Sequence, residues 1–224
     1  MFGVGHMLLE EPFAITDKPF ETPLGSVDVD REVVRAIVEA CGPSVLAEEL
    51  AHADEHSIEF QAVALRRRFG ARTPRIVPIL CGGFHGLVRY ERRPTEEPKI
   101  EAVLAATAAA AQRLVDDGVK VAYLAAVDLA HVGARFGDAT ELDEAALAVI
   151  ATKDRAALAA AMAGDAEGWF DAIAAHGDST RICGLAAMYA MLRVAKPGTG
   201  RLLGYEQSLE EGGSVVTYAS VAWP

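Results

Sequence analysis

Strand-like apolar runs alternate with helix-like segments along this chain. The run KVAYLAAV at 120–127 is almost wholly apolar, and it follows an alanine-rich, helix-like stretch at 99–117. Runs of this kind are typical of strands covered on both faces, so we expect 120–127 to lie in the middle of a sheet. The alternation predicts one α/β domain over residues 1–224, a three-layer α/β/α sandwich around a mixed, mostly parallel sheet.

The remaining segments fit the same pattern. Asp30 is a suitable N-cap for a helix at 31–40, and the segment before it, 13–29, suits a hairpin-like extended excursion. Further helices are expected at 55–69, 140–163, 166–175 and 183–195, and further strands at 2–6, 75–81, 202–208 and 214–222. Because the opening strand FGVGH has almost nothing before it, we expect that sequence upstream of Met1 is missing.

Composition excludes several classes of function. The chain has 21 Lys and Arg against 32 Asp and Glu, a net charge of -11 that repels nucleic-acid phosphates and anionic lipids. No apolar run approaches the roughly 20 residues needed to cross a bilayer, and the N-terminus does not resemble a signal peptide, so we expect a cytoplasmic protein. Three scattered cysteines without a CxxC pair do not support a disulfide framework or a zinc knuckle.

Polar residues directly follow two of the predicted strands. His6 ends FGVGH, and Asp128 and His131 follow the run at 120–127. Loops at the carboxyl ends of strands form the ligand-binding crevice of α/β sheets, so these positions are candidates for a site. The i, i+3 spacing of Asp128 and His131 would put both side chains on one face of a first helical turn.

Two other segments carry groups suited to chemistry. DEHSIEF at 54–60 is an acidic cluster ahead of a helix, which is either a capping arrangement or the mouth of a pocket. Cys183 lies at the opening of a predicted helix, where the dipole favours a thiolate, although a buried structural cysteine is an equal alternative. Imidazole, thiolate and carboxylate together suit iron, copper or zinc, whereas ordinary hydrogen-bonded roles remain the alternative for each histidine. His52, His85 and His176 match no motif and are expected on the surface or in loops.

Four segments in order resemble one protein family. They are GVGH at 3–6, DEHSIEF at 54–60, VDLAHVGARFG at 127–137 and ICG at 182–184, and YEQS and GGSVVTYAS near the end also match. The chain resembles the Memo family, known in prokaryotes as AmmeMemoRadiSam system protein B, over essentially its whole length. The resemblance implies a LigB-like fold, that of the class III extradiol dioxygenases, with iron or copper in a pocket at the edge of the sheet.

The resemblance also implies roles for individual residues. His6 and Cys183 match metal-binding residues of the family, whereas His56, Asp128 and His131 match residues of the same pocket and are candidates for catalytic or acid/base roles. The family's PHAGY segment, whose histidine is a further ligand, is absent from this chain. This departure agrees with the expectation that an N-terminal segment is missing.

Three functions follow from these observations. The first is a non-haem metal-binding protein with redox or dioxygenase-like activity. The second is a non-catalytic module that acts beside a radical SAM protein and an AMMECR1-like protein, and the third is metal-dependent hydrolysis near Asp128 and His131. An exposed strand edge near the start of the chain would favour a homo-oligomer.

Overall fold

The computed structural model of the chain describes residues 1–6, 9–139, 142–210 and 212–224. Its strands are β1 (Phe2–Val4), β2 (Phe13–Ile15), β3 (Ile79–Cys81), β4 (Ala125–Ala126), β5 (His131–Gly133), β6 (Arg201–Glu210) and β7 (Ser214–Ala222). Its α-helices are α1 (Arg31–Cys41), α2 (His56–Phe69), α3 (His85–Arg89), α4 (Pro98–Asp116), α5 (Glu144–Met162), α6 (Ala166–Ala174) and α7 (Leu185–Ala195). The chain forms two compact units, unit 1 (residues 1–83 and 93–126) and unit 2 (residues 84–92 and 127–224). The single domain over 1–224 stays a prediction.

Unit 1 contains a mixed sheet with the strand order β2-β3-β1-β4. Strand β1 runs parallel to both β3 and β4, and β2 runs antiparallel to β3. Gly3 in β1 faces α2, whereas its neighbour Phe2 lines a cavity with Val33 of α1 and Ala111 of α4. Because successive side chains of a strand point to opposite faces, helices lie on both sides of this sheet. The predicted α/β class with a mixed, mostly parallel sheet is confirmed.

Two helices of unit 1 begin directly after a residue whose side chain caps them. The Asp30 side chain accepts a hydrogen bond from the backbone N–H of Val33 at 3.3 Å, so α1 begins at Arg31. Glu55 caps α2 in the same way by accepting from the backbone N–H of Ser57 at 3.0 Å. Both caps use side chains that the sequence places directly before a helical pattern.

The prediction of a long central strand at 120–127 is wrong. Only Ala125 and Ala126 form a strand there, and β4 stands at the end of the sheet while β1 occupies the interior. Within the described residues β4 pairs with β1 alone, and Val121 and Tyr123 are only half-buried. Strand β3 is also shorter than predicted, since it begins at Ile79, directly after a proline that has no N–H to donate.

Unit 2 contains an antiparallel sheet of three strands in the order β5-β7-β6. Helices α5, α6 and α7 pack in sequence, and the fully buried Trp169 of α6 donates its indole N–H to the Leu185 carbonyl at 2.9 Å. Helix α5 begins at Glu144 behind the cap Asp143, whereas the predicted start at Thr140 lies outside the described residues. No helix in the described part of the chain is both long and apolar enough to cross a membrane.

The expected helical turn over Asp128–His131 does not form. His131 instead begins β5 and pairs with Val216 of β7 in an antiparallel register. Pairing with a strand far along the chain determines this conformation, and the i, i+3 spacing alone could not indicate it.

Candidate functional site

His6 follows β1 and is held by the carboxylate of Glu55. The His6 ring nitrogen Nδ1 lies 2.9 Å from Glu55 Oε2, and the His6 backbone N–H donates to the same oxygen at 3.0 Å. The Glu55 side chain is only 4% exposed, whereas the His6 side chain is 46% exposed. One buried carboxylate therefore caps α2 and fixes the backbone and ring of His6.

Glu55 is ionised despite its burial. Burial alone would raise its pKa, but hydrogen bonds from the backbone N–H groups of His6 and Ser57 and from the His6 ring outweigh burial, so the pKa lies below its ordinary value. An ionised carboxylate can only accept, so His6 Nδ1 is the donor. An ion would therefore bind His6 at Nε2, the arrangement usual for metal-binding histidines.

Gly3 allows α2 to approach β1 closely enough for this contact. A Cβ at Gly3 would lie 2.5 Å from Ser57 Oγ and 2.6 Å from Ile58 Cγ1, closer than any side chain could be accommodated without movement. The Ser57 hydroxyl also donates to the Val4 carbonyl at 3.2 Å. The first glycine of GVGH therefore brings the DEHSIEF segment to His6.

His56 stacks on His6. The two ring centroids lie 5.1 Å apart with planes inclined by 10°, and His56 Nδ1 is 3.5 Å from Glu55 Oε1. Ligand atoms of His6, Glu55 and His56 all lie within 4.8 Å of one another, so this cluster could hold a metal ion. Because the lone pairs of an imidazole lie in its ring plane, two parallel rings cannot both point at one ion without rotating. His56 in this position restricts the plane of His6 instead.

Asp128, His131 and Cys183 form a second cluster, in unit 2. Ligand atoms of the three lie within 4.8 Å of one another. The Cys183 Sγ contacts the carboxylate oxygen Oδ1 of Asp128, and His131 Nε2 lies 3.5 Å from the other oxygen, Oδ2. All three side chains are half-buried, so an ion could reach them from solvent. Sulfur, nitrogen and oxygen donors in one place suit iron, copper or zinc.

The orientation of His131 is set by backbone carbonyls. Its Nδ1 donates to the Leu129 carbonyl at 3.0 Å and lies 3.3 Å from the Arg181 carbonyl. Arg181 in turn donates its Nε–H to the His131 carbonyl at 3.0 Å, and Phe136 packs edge-on against the ring with centroids 5.1 Å apart. Nδ1 is therefore occupied, and Nε2 is the nitrogen that faces Asp128.

Asp128 and His131 shift each other's pKa in opposite directions. Burial would raise the Asp128 pKa, but hydrogen bonds from His131 and Cys183 outweigh burial and lower it. Burial would lower the His131 pKa, but the Asp128 carboxylate and the two carbonyls raise it. The pair therefore favours a carboxylate beside an imidazolium, and a metal ion bound here would displace the Nε2 proton.

Cys183 directly precedes Gly184, the N-cap of α7. A Cβ at Gly184 would lie 2.7 Å from the Asp128 carbonyl oxygen, so only glycine lets the two backbone segments approach. Of the other two cysteines, Cys41 ends α1 and Cys81 is buried in β3. Metal binding by His6 and Cys183, and catalysis by His56, Asp128 and His131, stay predictions.

The sequence indicated two residues that orient the clusters to different degrees. Glu55 had a signal, the acidic DEHSIEF segment, which predicts either a capping arrangement or the mouth of a pocket; Glu55 caps α2 and also holds the ring of His6. Arg181 had none, because it contacts His131 partly through its carbonyl, in a left-handed backbone conformation with φ of 51°. One expected loop histidine, His52, is instead buried, with Nε2 3.0 Å from the Ala14 carbonyl.

One family model and several known proteins match nearly the whole chain. The model of the family described as "Memo-like protein" matches residues 1–222. A MEMO1 family protein of Methanosarcina barkeri is 30% identical over 231 residues, covering 99% of this chain and 74% of that protein. A MEMO1 family protein of Aquifex aeolicus is 26% identical over 229 residues, and one of Thermus thermophilus is 28% identical over 210. These two alignments cover 100% and 94% of this chain but only 54% and 57% of those relatives, so the chain spans little more than half their length.

Proposed function

The chain belongs to the Memo-like protein family, and we propose that it binds iron or copper through Asp128, His131 and Cys183. The observation that carries the proposal is that the Cys183 thiol and His131 Nε2 meet the two oxygens of one carboxylate. The other ring nitrogen of His131 is held by backbone carbonyls, as is usual for a metal-binding histidine. In unit 1, His6 is proposed as a metal ligand on separate grounds, because Glu55 holds its Nδ1 and Nε2 is the nitrogen left to face an ion.

Bound iron or copper would supply redox chemistry, which is the basis for proposing a redox or dioxygenase-like activity. The chain's own contribution is to hold the ligand atoms in place. Before an ion binds, His131 and Asp128, 3.5 Å apart, share a proton, and this proton leaves His131 Nε2 when the ion takes its place. A thiol among the ligands distinguishes this donor set from the two histidines and one carboxylate of non-haem iron oxygenases.

Metal content of matched cysteine variants tests the proposal. Protein purified anaerobically and reconstituted with Fe²⁺ or Cu⁺ should hold the metal in stoichiometric amounts, and Cys183→Ser should lose most of it. Cys41→Ser is the matched control, because Cys41 is also half-buried but lies at the end of α1. Equal metal content in both variants would exclude Cys183 as a ligand.

The same measurement separates the other two functions. Retention of zinc alone, with hydrolytic activity that depends on it, would favour a hydrolase. Absence of any bound metal, together with stable co-purification of a radical SAM protein or an AMMECR1-like protein, would favour a partner module.

A further inference from the structure

Asp154 lies on α5, and its side chain is completely buried. Its Oδ2 accepts hydrogen bonds from the hydroxyls of Tyr205 at 2.8 Å and Thr217 at 2.7 Å. Its Oδ1 has no hydrogen-bond partner among the described residues. Burying a carboxyl group with one oxygen unpaired costs stability, so this residue is poorly explained by stability alone.

Asp154 determines how the Thr217 hydroxyl is oriented. A hydroxyl has one hydrogen to donate, and that of Thr217 goes to Asp154. The oxygen lone pair is then directed to the backbone N–H of Ala130, which donates to it at 2.8 Å. Thr217 is fully buried, so water does not compete for either bond.

The backbone of Thr217 also forms hydrogen bonds with the segment Leu129–Ala130. Its N–H donates to the Ala130 carbonyl at 3.0 Å, and its carbonyl accepts from the Leu129 N–H at 2.8 Å. Leu129 and Ala130 are the two residues between Asp128 and His131, and the Leu129 carbonyl is also the acceptor for His131 Nδ1. The position of Thr217 therefore sets where both cluster residues stand.

We infer that Asp154 is a positioning residue for the Asp128–His131–Cys183 cluster and acts through the Thr217 hydroxyl. Asp154 touches none of the three cluster side chains in the contacts that the described residues form, so it is not a ligand. Its effect on metal affinity rests on the proposed function, whereas its effect on the His131 ring does not.

Tyr205 provides a matched control for this inference. Its hydroxyl donates to the same Asp154 oxygen, but Tyr205 lies on β6, which pairs with β7 and not with β5. Tyr205→Phe therefore removes a hydrogen bond to Asp154 without changing a bond to the Leu129–Ala130 segment. Thr217→Val removes the hydroxyl that holds this segment at nearly unchanged volume, and Thr217→Ser retains it.

The experiment measures Co²⁺ affinity and urea unfolding of the full chain. Thr217→Val should weaken Co²⁺ binding by about tenfold, the lower end for losing a group that orients a ligand. Tyr205→Phe should lower the urea unfolding midpoint while its Co²⁺ affinity stays within about twofold of wild type. Thr217→Ser should bind Co²⁺ about as tightly as wild type. Equal losses of affinity in Thr217→Val and Tyr205→Phe would overturn the inference, because they would show a general loss of stability.

A metal-free measurement separates this inference from the proposed function. In the apo protein, the ¹⁵N shifts of the His131 ring should change in Thr217→Val and stay unchanged in Tyr205→Phe. If wild-type protein binds neither Co²⁺ nor reconstituted Fe²⁺ or Cu⁺, the proposed function fails, but this comparison still decides the inference. Asp154 itself is tested by the same measurement on Asp154→Leu against Asp154→Asn, since the Asn carbonyl can accept both hydroxyls; this pair also decides the inference should Thr217→Val not fold. Unchanged His131 shifts in the Leu variant would overturn the inference.

Discussion

Replacing Glu55 by alanine should destabilise the chain well beyond the loss of a surface charge. The change removes the cap of α2, which is worth about 1 kcal/mol, and leaves the His6 backbone N–H without its acceptor, which costs about 1–2 kcal/mol more. We therefore expect the free energy of unfolding to fall by about 2–3 kcal/mol in urea titrations at neutral pH. Glu59→Ala is the control, because Glu59 occupies the same first turn but is exposed, and it should change stability by less than about 0.5 kcal/mol.

Acid titration gives this prediction a second, independent outcome. The folded-state pKa of Glu55 lies below its ordinary value of 4.5, so its contribution is present above that value and is lost as pH falls through the folded-state pKa. Glu55→Gln lacks this contribution and should lose less stability than wild type when the pH falls below about 4.5. If Glu55→Ala lowers the free energy of unfolding no more than Glu59→Ala does, the carboxylate does not hold His6 in place. The same conclusion follows if Glu55→Gln and wild type lose equal free energy of unfolding as the pH falls.

Three further changes test other parts of the structure. Gly3→Ala should cost about 1–3 kcal/mol by forcing α2 away from β1, whereas Gly86→Ala, which has open space around it, should be tolerated; equal unfolding midpoints would contradict the close approach. Burial raises the pKa of Asp154 above its ordinary 3.8, so the stability this group contributes at low pH is lost as pH rises through the folded-state pKa. Asp154→Asn should remove that loss in urea midpoints measured as the pH rises from about 4. If the urea midpoint of Asp154→Asn falls with pH as steeply as that of wild type, the prediction is contradicted. Gly184→Ala should push the Cys183 segment away from the Asp128 carbonyl and weaken Co²⁺ binding by about tenfold or more, and undiminished affinity would argue against this cluster as the ion site.

Elements with local signals were predictable from the sequence. Helix α1 begins behind Asp30 as predicted, and α2 begins one residue after its predicted start, behind Glu55, because capping depends on residues three or fewer positions away. The last two strands also form as predicted, since a glycine pair separates two runs that can pair with each other. The edge position of β4 was not predictable in the same way, because an apolar run indicates a strand but not how many neighbours it will have.

The positions of the site residues were predictable to the extent that strand ends locate them, and their orientations were not. Along the chain, His6 follows β1 and Asp128 follows β4, which are the positions that the rule for α/β sheets nominates. What orients His131, however, is a set of carbonyls and a threonine whose hydroxyl meets Ala130 from 87 positions away. Every residue carries a carbonyl, so such contacts leave no signature in the choice of side chains. A sequence can therefore nominate an imidazole as a ligand, whereas the nitrogen that it offers to the ion depends on backbone contacts that only the folded structure specifies.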